Sequence, residues 1–73
     1  LDISLFPNPV KSSLLLNAPS KIGEPYVILN AFGQEVSKGT VLSGREAIDV
    51  SAFNSGLYFI DLSGLRLRFI KVE

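Results

Sequence analysis

Phe53-Asn54-Ser55-Gly56-Leu57-Tyr58-Phe59-Ile60-Asp61-Leu62 decides the fold of this chain. From Gly56 onward the residues alternate as an extended strand requires. Tyr58, Ile60 and Leu62 fall on one face, and Leu57, Phe59 and Asp61 on the other. Ser63-Gly64 then turns the chain into a second extended stretch, Leu65–Val72. Two strands joined by two turn residues make a hairpin, so the C-terminal third of the chain is β-structure.

The same reading extends toward the N-terminus. Apolar clusters recur every ten or so residues between turn residues, the spacing of an all-β sandwich or barrel. Asp2–Phe6 predicts a first strand and Ser12–Asn17, with Leu14, Leu15 and Leu16, a second that ends at Ala18-Pro19-Ser20. Pro25–Asn30 predicts a third strand. Ala31-Phe32-Gly33-Gln34 is a turn in which Gly33 can take positive φ, and Glu35–Lys38 completes that hairpin. Thr40–Leu42 reads as a short strand closed by Ser43-Gly44-Arg45. Glu46–Val50 follows, with Ile48 and Val50 on one face and Asp49 on the other. Ser51–Ser55 is a connection with Phe53 tucked inward, and Asp49–Asn54 has room for one helical turn. No longer segment keeps apolar residues at helical period. The expectation is seven or eight short strands, antiparallel because such short connections cannot carry parallel crossovers.

Pro7-Asn8-Pro9 shapes the start of the chain. Two prolines fix φ at two positions and remove two backbone donors. Phe6 and Asn8, each preceding a proline, are pushed away from helical geometry. The segment is a rigid extended corner or an edge strand. At the other end of the argument, the apolar–glycine–tyrosine order of Phe53, Gly56 and Tyr58 resembles the tyrosine corner of immunoglobulin-like folds. It predicts a sandwich in which the Tyr58 hydroxyl bonds to backbone near Val50–Phe53.

Composition narrows function. Cysteine and histidine are absent, which removes disulfides, zinc-thiolate sites and the common nucleophile–base pairs. Carboxylates are scattered singly on turns and outward strand positions, with neither the pairing of a glycosidase nor the density of a calcium loop. Glycines lie apart, each at its own turn, so no phosphate loop is present. No catalytic residue, metal site or cofactor is predicted. Seven basic side chains balance seven acidic ones, so no overall field favours nucleic acid. Arg66, Arg68 and Lys71 are the only basic concentration; Arg66 and Arg68 share a strand face, where like charges blunt an exposed edge or, as the alternative, are recognised by a partner. Apolar runs of about four residues are far short of the ~20 that span a bilayer, and no signal peptide opens the chain. The first residue is Leu1, consistent with a piece of a longer polypeptide.

Taken in order, Phe6-Pro7-Asn8-Pro9-Val10-Lys11, Leu29-Asn30-Ala31-Phe32-Gly33-Gln34-Glu35-Val36, Ile48–Ile60 and Arg68-Phe69-Ile70-Lys71 resemble the C-terminal sorting domain, type A, of type IX secretion (Por secretion system) substrates. The resemblance covers essentially the whole chain. It implies an immunoglobulin-like antiparallel β-sandwich of about seven short strands, with residues 1–73 as a single domain at the C-terminal end of a secreted protein. It implies no catalysis, but an address label. The cargo, joined on the N-terminal side, passes from the periplasm of a Gram-negative bacterium through an outer-membrane translocon to the cell surface, where a sortase processes it. Pro7, Asn8 and Pro9 match the opening motif, Gly33 and Gln34 the glycine-plus-polar turn, Gly56 and Tyr58 the glycine–x–tyrosine strand, and Phe69, Ile70 and Lys71 the terminal strand. The terminal strand is expected to offer an edge for β-augmentation by a receptor. Two positions depart from the pattern: Ser12 stands where an acidic residue is common, and the chain closes with Val72-Glu73 where a basic residue is usual. The alternative is a non-catalytic accessory sandwich of an extracellular enzyme, either carbohydrate-binding or a spacer. With no tryptophan and with Tyr58 expected to be buried, Tyr26 would be its only aromatic platform.

Overall fold

The chain changes sheets at Pro7-Asn8-Pro9. In the structure, a computed structural model that describes residues 3–73, strand β1 (Ser4–Phe6) pairs antiparallel with β2 (Ser13–Asn17). Beyond the prolines, Val10 forms a parallel bridge with Lys71 in the opposite sheet. Both X–Pro bonds of the corner are cis. One short segment therefore contributes to both layers.

The other strands are β3 (Pro25–Asn30), β4 (Glu35–Thr40), β5 (Arg45–Asp49), β6 (Gly56–Leu62) and β7 (Leu65–Lys71). They form a three-stranded sheet, β1-β2-β5, and a four-stranded sheet, β4-β3-β6-β7, with every named strand pair antiparallel. This is the expected immunoglobulin-like sandwich. Its fourth strand lies beside β3 in the larger sheet.

Alternation sets the core. Leu14 and Leu16 of β2 and Ile48 of β5 face Ile28 of β3, Ile60 of β6 and Phe69 of β7, and all six are buried. Burying side chains of this size stabilises by about 1.5–3 kcal/mol each, which a chain without disulfides depends on. Tyr58, Ile60 and Leu62 point inward as the alternation predicts; Leu57 is exposed, and Phe59 and Asp61 are half-buried. The β6–β7 turn takes positive φ at both Ser63 (51°) and Gly64 (83°), the geometry whose twist matches that of the flanking strands.

Several expectations shift. The first strand begins at Ser4, and Asp2 lies outside the described residues. Thr40–Leu42 is not a strand of its own: β4 runs on through Thr40, and Val41 is buried beyond it. Val41 exchanges backbone hydrogen bonds with the loop before β3, through Gly23 N–H (2.7 Å) and Glu24 C=O (2.9 Å). No helical turn forms at Asp49–Asn54, where the Asp49 carboxylate accepts Ser51 N–H and Val50 C=O accepts Phe53 N–H in consecutive tight turns. The single 3₁₀ turn among the described residues lies at Pro19–Lys21, where proline suits a first helical position.

Candidate functional site

The ten residues singled out by the motifs gather at one end of the four-stranded sheet. Cross-strand pairing places Asn30 opposite Tyr58, Tyr58 opposite Phe69, Leu57 opposite Ile70 and Gly56 opposite Lys71. The Gly33–Gln34 turn extends from Asn30, and Pro7-Asn8-Pro9 lies along the far edge of β7.

Asn8 shows how the corner is fastened. Its carboxamide accepts the Ile70 N–H at 3.0 Å and donates to the Arg68 carbonyl at 3.3 Å. Pro7 and Pro9 have no N–H to offer, so the Asn8 side chain pairs with β7 where the backbone cannot. Two residues on, Val10 N–H donates to Ile70 C=O at 2.8 Å and Val72 N–H to Val10 C=O at 2.9 Å. The outer edge of the terminal strand is thus covered from Arg68 C=O to Val72 N–H. The expected open edge is narrower than the sequence implied: only its Leu65–Arg68 end has unpartnered groups among the described residues.

Tyr58 is buried, with its ring stacked on Phe69 (centroids 5.5 Å apart, planes at 15°) and tilted against Phe53 (5.1 Å, 37°). Its hydroxyl donates to the Asn54 carbonyl at 2.7 Å. The tyrosine therefore bonds back to upstream backbone as expected, but one residue beyond the Val50–Phe53 segment. The tight turns after Asp49 carry the chain further before Asn54 comes within reach. Lys71 is buried by its stem on the inward face, while its ammonium donates to the Val72 carbonyl at 3.1 Å. Ser55 Oγ donates to the Glu73 carboxylate at 2.8 Å, tying the chain beyond β7 to the loop before β6.

The hairpin between β3 and β4 rests on a residue outside that set. Asn30 Oδ1 accepts Phe32 N–H (2.9 Å) and Gln34 N–H (3.0 Å), while its Nδ2 donates to Gln34 Oε1 (2.9 Å). Gln34 thereby acts as a brace within the turn, and Gly33 takes φ of 84° as expected. An asparagine ahead of a glycine turn is the local signal that could have found this role. The hairpin presents Phe32 at its tip, 89% exposed. Asn30, Phe32, Asn54, Gly56, Leu57 and Tyr58 line a shallow hollow at this end.

Electrostatics here are local. Arg66 grips Asp61 with two hydrogen bonds (2.6 and 2.9 Å) and lies over the Phe59 ring at 5.4 Å. The guanidinium hydrogen bonds hold the Asp61 carboxyl below its usual value and raise Arg66 above its own. In the other half of the sandwich, Leu42 and Ser43 N–H groups donate to Glu46 Oε2 (2.8 and 2.9 Å), and these backbone bonds lower its pKa. Among the described residues no group of carboxylates is placed to hold a metal ion, and no helix is long and apolar enough to cross a membrane.

Comparison with known proteins covers nearly the whole sandwich. A family model described as "Secretion system C-terminal sorting domain" matches residues 4–71, from the start of β1 to the end of β7. Beta-agarase A of Zobellia galactanivorans is 39% identical over 67 residues, which cover 90% of this chain and 12% of that protein. The chain thus spans about an eighth of the length of that curated relative. No solved structure is matched.

Proposed function

We propose that this chain, which belongs to the family of type IX secretion C-terminal sorting domains, carries a cargo joined on its N-terminal side across the outer membrane through the type IX translocon. The route runs from the periplasm of a Gram-negative bacterium to the cell surface, where a sortase processes the arriving protein. In this reading residues 1–73 are one sorting unit at the C-terminal end of a longer secreted protein. The unit itself performs no reaction.

The observation that carries the reading is the convergence of the motif residues. Pro7, Asn8 and Pro9, Gly33 and Gln34, Gly56 and Tyr58, and Phe69, Ile70 and Lys71 come from four separated stretches, yet they share one end of one sheet. Most of them order that end internally, while Phe32 and Ile70 leave it with exposed apolar side chains for a receptor. The carbohydrate-binding alternative loses its platform. Tyr58 is buried, and the Tyr26 ring lies across Gly39.

The test fuses residues 1–73 to a periplasm-directed reporter in a host with the type IX apparatus. The fusion should reach the surface, and deletion of Leu65–Glu73 should leave the reporter in the periplasm. Because that deletion also removes Phe69 from the core, a folded variant, Phe32→Ser combined with Ile70→Thr, should reduce surface delivery while keeping the wild-type melting behaviour. Surface delivery of the deleted fusion would overturn the reading.

A further inference from the structure

The two central strands of the larger sheet are apolar on both faces. Ile28 of β3 and Ile60 of β6 point into the core, so Val27 and Leu29, and Leu57 and Phe59, point to the outer face. An antiparallel sheet with one solvated face alternates apolar and polar residues, whereas strands apolar on both sides belong to sheets covered on both sides. Val27, Leu29 and Phe59 are half-buried; Leu57 and its neighbour on β7, Ile70, are exposed. Directly opposed residues share a face. Register therefore lines up Glu35, Leu29, Phe59 and Arg68 in one row across all four strands. An acid and a base end the row, and two apolar residues lie between them. Three strand spacings put Glu35 roughly 14 Å from Arg68, too far for the two to meet, and neither makes an ion pair among the described residues.

We propose that this outer face is a pairing surface for a second copy of the chain. The two four-stranded sheets pack face to face about a twofold axis that runs along the strands between β3 and β6. Such a rotation reverses the row: Glu35 meets the second copy's Arg68, Leu29 its Phe59, and Arg68 its Glu35. An axis along the row would bring like charges together, so charge complementarity selects the first geometry. Strands of the two copies then lie nearly in line, the aligned packing of sandwiches. The adjoining row, Lys38, Val27, Asp61 and Arg66, sets Lys38 against the second copy's Asp61–Arg66 pair, which is neutral in sum. Arg66 lies over Phe59 at 5.4 Å; with its charge met by Asp61 it can be covered without leaving an unpaired ion. Strand β1, which carries the attachment point of any cargo ahead of Ser4, belongs to the other sheet. The body measures 30 by 21 Å across its largest face, so contact covers at most roughly 600 Å² per copy, against ~800 Å² for a standard interface. Pairing is therefore weak, with a Kd on the order of 100 µM. It covers Ile70 and so competes with the receptor contact proposed above, but it does not rest on that reading. Pairing in solution and surface delivery in cells can each fail without the other.

The test is sedimentation velocity on the 73-residue chain from about 10 µM to about 1 mM, together with its Glu35→Arg and Arg68→Glu variants. Both positions are exposed, so each variant should keep the wild-type Tm. The wild-type chain should pass from monomer to dimer across this range. Each single variant should pair about tenfold more weakly, because both facing ion pairs become like-charge contacts. The double variant, Glu35→Arg with Arg68→Glu, restores opposite charges at both contacts and should recover wild-type pairing. Lys11→Glu shifts net charge as much as Arg68→Glu does, at an exposed position outside this sheet, and should leave pairing unchanged. A wild-type chain still monomeric at the highest concentration would overturn the proposal. So would single variants that pair as well as wild type, as an edge-to-edge dimer would allow, or a double variant as weak as either single one.

Discussion

Tyr58 and Phe69 face each other across β6 and β7 with ring centroids 5.5 Å apart and planes only 15° apart, and this pair closes the core beneath the motif-bearing end. Phe69 is fully buried. Replacing it with alanine should cost about 3–5 kcal/mol, from lost burial and from the cavity left under the tyrosine ring. A chain of this length is expected to have only about 4–11 kcal/mol in total. Urea denaturation should therefore show Phe69→Ala near or beyond the edge of folding at 25 °C, and a loss below 1 kcal/mol would contradict the packing described.

Tyr58→Phe isolates the hydroxyl. It keeps the stacked ring and removes only the 2.7 Å bond to Asn54 C=O. The expected loss is about 1 kcal/mol, with a fall in Tm of roughly 4–8 °C for a domain of this size. Calorimetry that finds no change would mean water replaces the hydroxyl without cost.

Gly39 on β4 pairs with Tyr26 on β3, and a Cβ built there would sit 2.5 Å from the tyrosine hydroxyl oxygen. Gly39→Ala should destabilise by about 1–3 kcal/mol through overpacking, although alanine suits a strand better than glycine elsewhere. Removing the ring should reverse the sign. In a Tyr26→Ala background, Gly39→Ala should be neutral or stabilising, and additive effects in that double-mutant cycle would refute the contact.

Acid should weaken the fold through three carboxylates. Asp61, held by Arg66, Asp49, held by the Ser51 hydroxyl and amide, and Glu46, held by the Ser43 and Leu42 amides, all lie below their ordinary values in the folded state. A depressed folded pKa means the unfolded chain takes up protons first. The stabilisation is complete above the ordinary carboxylate range of about pH 4 and is lost as pH falls through the lower folded values. Tm should be flat near neutrality and drop in acid. Glu46→Gln should give a shallower drop, and parallel curves for the two proteins would remove Glu46 from this account.

What could be read from the sequence depended on the range of the interaction. Alternation in Gly56–Leu62 and the Ile48/Asp49/Val50 order specified inward faces correctly, because a residue's side of a strand follows from its position alone. The Gly33 and Ser63-Gly64 turns were legible for the same reason. Val41 was misplaced because its burial comes from loop bonds to Gly23 and Glu24, which no local pattern encodes. Asn8 lay furthest out of reach. Proline geometry announces a corner, but that the residue between the prolines bonds to a strand 62 positions away is a tertiary fact. The convergence of the motif residues likewise exists only once β3, β6 and β7 have taken their register.

The parallel bridge between Val10 and Lys71 also gives the molecule two poles. The N-terminal segment and β7 run the same way, so Ser4 begins near the Ser63-Gly64 hairpin, while Phe32, Gly56 and Lys71 sit at the other extremity of a body about 30 Å long. Whatever is joined ahead of Ser4 is therefore tethered at the rear. The end that bears the motif residues lies opposite that attachment point.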